Sequence, residues 1–412
     1  MDTDAPHMVF QSSENLTGVC PHFGECGGCS YQDKPYPEQV RAKGRMLEQL
    51  FSEFWHGPIQ VEPSPVVWFY RNRADLTFAP KWYNQPPAPG FERETVLGYR
   101  RKGRWFWPLD VAECRIFSPE LPALLDAVKR WFRAARLQAY DERTQQGILR
   151  GLLVREGKRT GQRLVVLITR EGEFDAGVFV EAVRAACSVT SIFHGIYRGR
   201  AQVTCADELH LLFGPPEIAE ELHVVDDVSR RRFRFCISPF SFFQTNTMGA
   251  DVLYTRVREW VKGVVPSILY DLYGGSGGIA LSCADLVPQV VSVENVLSTT
   301  RDATRNAVMN RIENARFTTN SVEDFLMQLL RRGELEKDAA VIVDPPRAGL
   351  HPRALKALLE LKPAHLLYVS CKPSTLVLEL PKLLEVFRLR SLHAVDMFPH
   401  TDHVEVLAEF SL

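Results

Sequence analysis

The stretch SILYDLYGGSGGIAL (267–281) decides the fold. It reads as a short apolar strand, a turn crowded with Gly274, Gly275, Gly277 and Gly278, and the opening of a helix. Glycines allow a tight turn and close approach of a ligand, because no side chain blocks the backbone. Toward the C-terminus the same alternation recurs. VVSVEN (290–295), ARFTTN (315–320), AAVIVDPPR (339–347) and HLLYVSC (365–371) read as strands, with helical segments such as 296–310 and 351–360 between them. Strands alternating with helices predict an α/β architecture with a mostly parallel, doubly wound sheet, whose strand ends deliver polar residues to one crevice.

Several residues fall at those strand ends. Glu294 closes the strand after the glycine loop, where a carboxylate can accept hydrogen bonds from a ribose diol. That geometry fits both NAD and S-adenosylmethionine, although the GxGxxG spacing of dinucleotide loops is absent. Asp344 opens DPPRAGL, in which two prolines fix the backbone as a wall for a flat ring while Asp344 and Arg347 project polar groups. Cys371 ends the next strand between Ser370 and Lys372, and an adjacent cation favours the reactive thiolate. DMFPHTDHVEVLAEF (396–410) runs from a loop into an edge-like strand in which Glu405 has the parity opposite to Val404, Val406 and Ala408. The plain alternatives are a packing cysteine and a solvent-facing glutamate.

The N-terminal part has a different texture. Cys20, Cys26 and Cys29 fall within ten residues, whereas Cys114 and the other cysteines are scattered. An odd total of nine, with no secretory signal in MDTDAPHMVFQSSEN, points to a bound metal or cluster and not to a disulfide framework. A structural zinc site is one reading of these thiols. Next, 36–54 carries Val40, Met46, Leu47, Leu50, Phe51 and Phe54 at helical spacing, and 66–79 alternates as a strand or hairpin does. From 119 to 236 a helix at 120–135 precedes strands at 147–157, 162–170 and 191–199, which predicts a mainly antiparallel sheet with helices on one face. The expected units are 1–118, 119–236 and 237–412. With a net charge of -1, nucleic acid is not attracted by the chain as a whole, so any such contact needs local patches such as RRKGR (100–104) and SRRRFRF (229–235). The sequence holds no uninterrupted apolar run of membrane-spanning length, and a cytoplasmic location with no membrane partner is expected.

FFQTN (242–246), DLYGGSGG (271–278), DPPRAG (344–349), YVSCKPST (368–375) and DMFPHTDHVE (396–405), in this order, resemble the RNA 5-methyluridine methyltransferase family, and CPHFGECGGCSYQ (20–32) is similar to its iron–sulfur segment. The resemblance runs from about residue 20 to the end. It implies a Rossmann-like S-adenosylmethionine-dependent methyltransferase domain, an α+β central domain that supports RNA binding, and an N-terminal iron–sulfur segment. By it, Gln244, Tyr273, Glu294 and Asp344 contact S-adenosylmethionine, Cys371 is the nucleophile and Glu405 the proton acceptor. Cys20, Cys26, Cys29 and Cys114 look like ligands of a [4Fe-4S] cluster.

This set suits one reaction. Uracil C5 becomes nucleophilic once a thiolate adds at C6, and a carboxylate then removes the C5 proton. The chain departs from the family pattern at Lys372, where Asn is usual, at Gly275, where Cys is frequent, and at Gly278, where some members carry Asn. A layout without a small RNA-binding barrel ahead of Cys20 resembles the 23S ribosomal RNA branch. That makes 23S rRNA the expected partner of a monomeric enzyme, with transfer RNA as the alternative and a non-catalytic RNA-binding or ribosome-assembly factor as a further one.

Overall fold

The computed structural model describes residues 19–85, 88, 91–201, 203–225 and 230–412. The stretch read for a secretory signal and Ser229 of the arginine run lie outside the described residues. From the N-terminus, α1 (Tyr36–Phe51) leads through β1 (Gln60–Glu62) to β2 (Arg73–Pro80), β3 (Thr95–Arg101) and β4 (Arg104–Asp110). Then come α2 (Leu121–Ala134), β5 (Leu149–Glu156), β6 (Arg163–Thr169), α3 (Ala176–Ala186), β7 (Ser191–Ile196) and β8 (Glu208–Phe213). The pair β9 (Ile218–Val225) and β10 (Arg230–Ile237) precedes α4 (Thr247–Val264), β11 (Ile268–Leu272), α5 (Gly278–Cys283), β12 (Gln289–Glu294), α6 (Leu297–Met309) and β13 (Ala315–Thr319). The chain ends with α7 (Val322–Arg332), β14 (Ala340–Val343), α8 (Pro352–Leu361), β15 (His365–Ser370), α9 (Pro373–Leu383), β16 (Arg388–Val395) and β17 (Glu405–Ser411).

The C-terminal sheet has the order β1-β16-β17-β15-β14-β11-β12-β13. Strands β15, β14, β11, β12 and β13 run parallel; the apolar runs of β14 and β15 suit strands covered on both faces, while β13 at the edge is only partly buried. Alternate residues pack on opposite layers. Tyr270, Leu272, Val341 and Val343 share a core with Leu47, Leu326, Leu358 and Leu380, whereas Leu269, Ile342, Leu367 and Val369 meet Leu253, Val257, Ile279 and Leu281. The order reverses between β11 and β14, so their carboxyl ends flank a crevice open to a ligand. Strand β17 is not the edge its alternation suggests. It lies antiparallel between β15 and β16, and Glu405 through Ala408 are all buried because both of its faces are covered.

The second sheet has the order β4-β3-β2-β5-β6-β7-β8, mainly antiparallel, with one parallel pair, β6 with β7. One face packs on α2 and α3 through Leu152, Val154, Val165, Leu167, Trp131 and Phe179, while Leu153, Leu164, Val166 and Ile168 pack toward β9, β10 and α4. Both faces of β6 are therefore buried.

The boundary expected at 118 falls within this sheet, since Arg73–Thr77 pairs with Gly151–Arg155. That pairing joins strands about 80 residues apart, which local periodicity does not encode. The N-terminal part further splits, because β1 pairs with β16 and α1 packs on the C-terminal core through Leu47 and Phe51. The expected helix face is shifted as well. Met46 is exposed, and the buried positions of α1 are Gln39, Lys43, Leu47 and Phe51.

Candidate active site

The ends of five strands, β11, β12, β14, β15 and β17, and the segment before α4 build the crevice. At β11, Tyr273 takes a left-handed φ of 66° and the chain turns through Gly274, where an added Cβ would fall 1.9 Å from Ser292 Oγ. Gly277, at φ 89°, then starts α5. The turn is thus shaped for a ligand to lie against bare backbone. Glu294 at the end of β12 braces it, accepting from Gly275 N at 3.2 Å and Val296 N at 2.8 Å. Gln244 sits in the segment before α4, where Asn246 caps the helix at Gly249 N and donates through its side chain to Ser64 Oγ and Met397 O. Asn72 donates to Gln244 O at 2.7 Å, which ties this segment to β2's approach.

The catalytic candidates meet through strand register. Ser370 on β15 is paired with Val406 on the antiparallel β17, so the next residues, Cys371 and Glu405, are brought opposite one another at the crevice. Glu405 is buried at 3% exposure, and its Oε2 has no hydrogen-bond partner. Burial, and then the neighbouring Asp344 carboxylate, hold Glu405 well above the usual carboxylate range, against the pull of Arg347. Burial, and then Glu405 and Asp344, push the half-buried Cys371 thiol up to about 11, again opposed by Arg347. The cation that favours the thiolate is therefore Arg347, from the loop after β14. Lys372 instead occupies the N-cap position of α9, its own N–H donating to Ser370 Oγ.

Asp344 is pushed up to about 7 by burial and by Asp271, which is itself raised to about 7 by burial. Asp271 is fully buried; Ser292 Oγ donates to its Oδ2, and its Oδ1 has no partner. Asp344 beside the glycine turn, with Asp271 buried beneath it, favours a cationic ligand, which a sulfonium and an amino group satisfy. Asp271 escaped the sequence reading because it lies inside the apolar strand, although a lone acid in SILYDL was a visible irregularity.

Gln39 and Lys43 were also missed as functional. They hold the loop that delivers Glu405: Gln39 donates to Tyr31 O and Lys34 O and accepts from His400 N, and Lys43 pairs with Asp396 at 2.7 Å and donates to Phe398 O at 3.0 Å. Their signal was the i, i+4 spacing 39, 43, 47, 51 along one helix face.

Cys20, Cys26, Cys29 and Cys114 line one cavity of about 600 Å³ together with Arg71 and Tyr99. Burial raises the thiols of Cys26 and Cys114, and Cys29 to about 12. Arg71 Nε has no hydrogen-bond partner, a buried donor that a negatively charged thiolate-bound group would face. Among the described residues, no three His, Cys, Asp or Glu side chains close on a single metal ion. The cysteine segment also reaches the active site, since Ser30 N and Tyr31 N donate to His400 O at 2.7 and 3.1 Å.

The family model for tRNA (uracil-5-)-methyltransferase matches residues 202–408. An "Uncharacterized RNA methyltransferase" of Caldanaerobacter subterraneus subsp. tengcongensis is 32% identical over 97% of this chain and 86% of its own length. The chain belongs to this methyltransferase family. It is an S-adenosylmethionine-dependent RNA uracil-5-methyltransferase. The tRNA (uracil(54)-C(5))-methyltransferase of Pyrococcus horikoshii is 31% identical over 98% of this chain and 88% of that one. Among solved structures, the Pyrococcus abyssi tRNA (uracil-54, C5)-methyltransferase in complex with S-adenosyl-L-homocysteine superposes with a TM-score of 0.71 at 28% identity, covering 93% of this chain and 85% of that one. No helix among the described residues is long and apolar enough to cross a membrane.

Proposed function

We propose that this enzyme methylates a uridine of transfer RNA through a covalent adduct on Cys371, with Glu405 as the proton acceptor. The observation that carries the chemistry is the antiparallel register of β15 and β17, which sets a thiol and a buried, partnerless carboxylate face to face. The RNA assignment leans on relatives named for uracil-54 of transfer RNA that match nearly the whole chain. The ribosomal target expected first from the N-terminal layout has no such support among these relatives.

Cys371 adds its sulfur to C6 of the uracil, and the C5=C6 electron pair moves toward C5 and the C4 carbonyl. Bound S-adenosylmethionine supplies an electrophilic methyl carbon, which C5 takes as the sulfonium–methyl bond breaks. Glu405 then accepts the C5 proton, the C5=C6 bond re-forms and the sulfur of Cys371 leaves. The balance is uridine plus methyl donor giving 5-methyluridine, the thioether and one proton. A buried carboxylate held well above its usual range is a strong base once ionised, which suits that last step. Gln244, Tyr273, Glu294 and Asp344 contact the methyl donor in this reading, with Asp344 offsetting its positive charge.

Cys20, Cys26, Cys29 and Cys114 hold a [4Fe-4S] cluster that cross-links the N-terminal segment. No step of the reaction needs electrons. The segment's role is to clamp His400 and so the loop leading to Glu405.

Mass-spectrometric mapping of 5-methyluridine in transfer and ribosomal RNA, with and without the gene, tests the target. Loss from a transfer RNA position supports the reading, and loss from ribosomal RNA alone contradicts it. Anaerobically purified protein is expected to carry about four iron and four sulfide per chain. Stoichiometric zinc without iron contradicts the cluster.

A further inference from the structure

Outside the crevice, the described surface carries a group of partly exposed aromatic side chains around Trp82 and Phe106. Trp82, in the loop after β2, is 40% exposed, and Phe106 on β4 is 46% exposed. Their rings lie 5.4 Å apart edge to face, and Trp82 also meets Trp107 at 5.8 Å. Large apolar rings grouped at the surface mark a contact site.

Most of the charge around them is basic, with Glu25 and Glu94 paired to Arg101 and Lys81. The guanidinium groups of Arg101 and Arg104 stand over the Trp107 ring at 4.8 and 5.0 Å. Arg101 shares its charge with Glu25 at 3.1 Å, while Arg104 forms no ion pair among the described residues. Lys102 and Arg100 complete the basic run at the turn between β3 and β4. Arginine over indole fixes the ring plane and keeps a cation at its rim. Flat faces interleaved with cations suit a chain of stacked bases with a charged backbone.

We propose that Trp82, Phe106 and Trp107, with Arg101 and Arg104, form a platform on which unpaired bases of the substrate RNA stack beside the target uridine. The proposal rests on the RNA-methyltransferase reading and adds the surface and the form of RNA it takes. A base that reacts in the crevice must leave its stack, so its neighbours are single-stranded and in need of a new stacking partner. The platform is also joined to the site. Gly27 N donates to Arg100 O at 3.0 Å and Lys102 N to Glu25 O at 2.8 Å, and the far end of that cysteine segment holds His400.

The test measures binding of a fluorescein-labelled oligouridine of about ten nucleotides, and of a duplex of equal length, to the full chain without methyl donor. S-adenosylhomocysteine affinity serves as the check on folding. Phe106→Ala is expected to weaken oligouridine binding about tenfold and leave duplex binding unchanged, and Phe106→Trp to restore it. Trp82→Leu carries the same expectation from another segment, so a folding defect in one variant leaves the other to decide. Arg104→Gln is expected to weaken binding about threefold and to flatten its salt dependence.

Unchanged oligouridine affinity in Phe106→Ala or Trp82→Leu with cofactor affinity intact overturns the platform. So does an equal loss on duplex, or failure of Phe106→Trp to rescue. The binding assay contains no methyl donor and so reads independently of turnover: a wild-type enzyme that binds as expected but forms no 5-methyluridine in a separate assay supplied with S-adenosylmethionine and substrate RNA refutes the active-site reading and leaves the platform standing.

Discussion

Two sets of cysteines in this molecule stand in contrasting surroundings. In the crevice, Cys371 stands at a strand end among carboxylates, with Glu405 and Asp344 raising its thiol and Arg347 opposing them. In the N-terminal cavity, Cys20, Cys26, Cys29 and Cys114 face one another, and Arg71 is the cation at hand. A thiol whose neighbours are acids can exchange protons with them and attack a substrate. Thiols whose neighbours are thiols gain most by sharing metal. The residue type is the same, and the company it keeps sets its chemistry.

The sharpest way to break that contrast is to remove one sulfur from each setting. Cys371→Ala is expected to lower turnover by about four orders of magnitude or more while S-adenosylhomocysteine binding persists. Loss of cofactor binding instead makes Cys371 a packing residue. Cys114→Ser is expected to lose iron and sulfide from purified protein.

The tie between the two settings is next. Lys43 and Asp396 are a buried pair, 3% and 0% exposed, joining α1 to the loop before Glu405. Lys43→Met leaves that carboxylate buried alone and is expected to cost about 3 kcal/mol in denaturant unfolding. An unchanged unfolding midpoint removes the pair from the account.

Titration separates the settings further. With the Cys371 thiol raised to about 11, its thiolate fraction grows through neutral pH and is still rising at pH 9. kcat/KM is therefore expected to climb about thirtyfold from pH 6.5 to 8, and a plateau below pH 8 contradicts that environment. The smallest expected effect concerns Asp344 and Asp271. Raised to about 7, these carboxylates gain protons as pH falls through that value and lose their attraction for a cationic donor. S-adenosylmethionine affinity measured by calorimetry should weaken about tenfold from pH 8 to 6.

Much of the crevice was legible because it is built from strand ends, and strand ends are visible as the points where apolar runs stop. Glu294, Asp344 and Cys371 each close such a run, and the parallel sheet follows from alternation alone. Glu405 was harder. Its parity is readable, but its burial depends on β17 lying between β15 and β16, a non-local pairing. The same reason hid the continuity of β2 with β5 across residue 118. Gln39 and Lys43 were passed over because a polar residue on an amphipathic helix reads as solvent-facing until its partner, here His400 and Asp396 more than 350 residues away, is known.

Glu405→Gln leaves Cys371 and the methyl donor in place and removes only the group proposed to end the reaction. Incubated with methyl donor and unmodified substrate RNA, denatured and digested, this variant is expected to yield a peptide bearing Cys371 joined to a methylated uridine nucleotide, at a turnover reduced about a thousandfold. Turnover at the wild-type rate with no such peptide, or attachment at a residue other than Cys371, contradicts the pairing of sulfur and carboxylate proposed for this site.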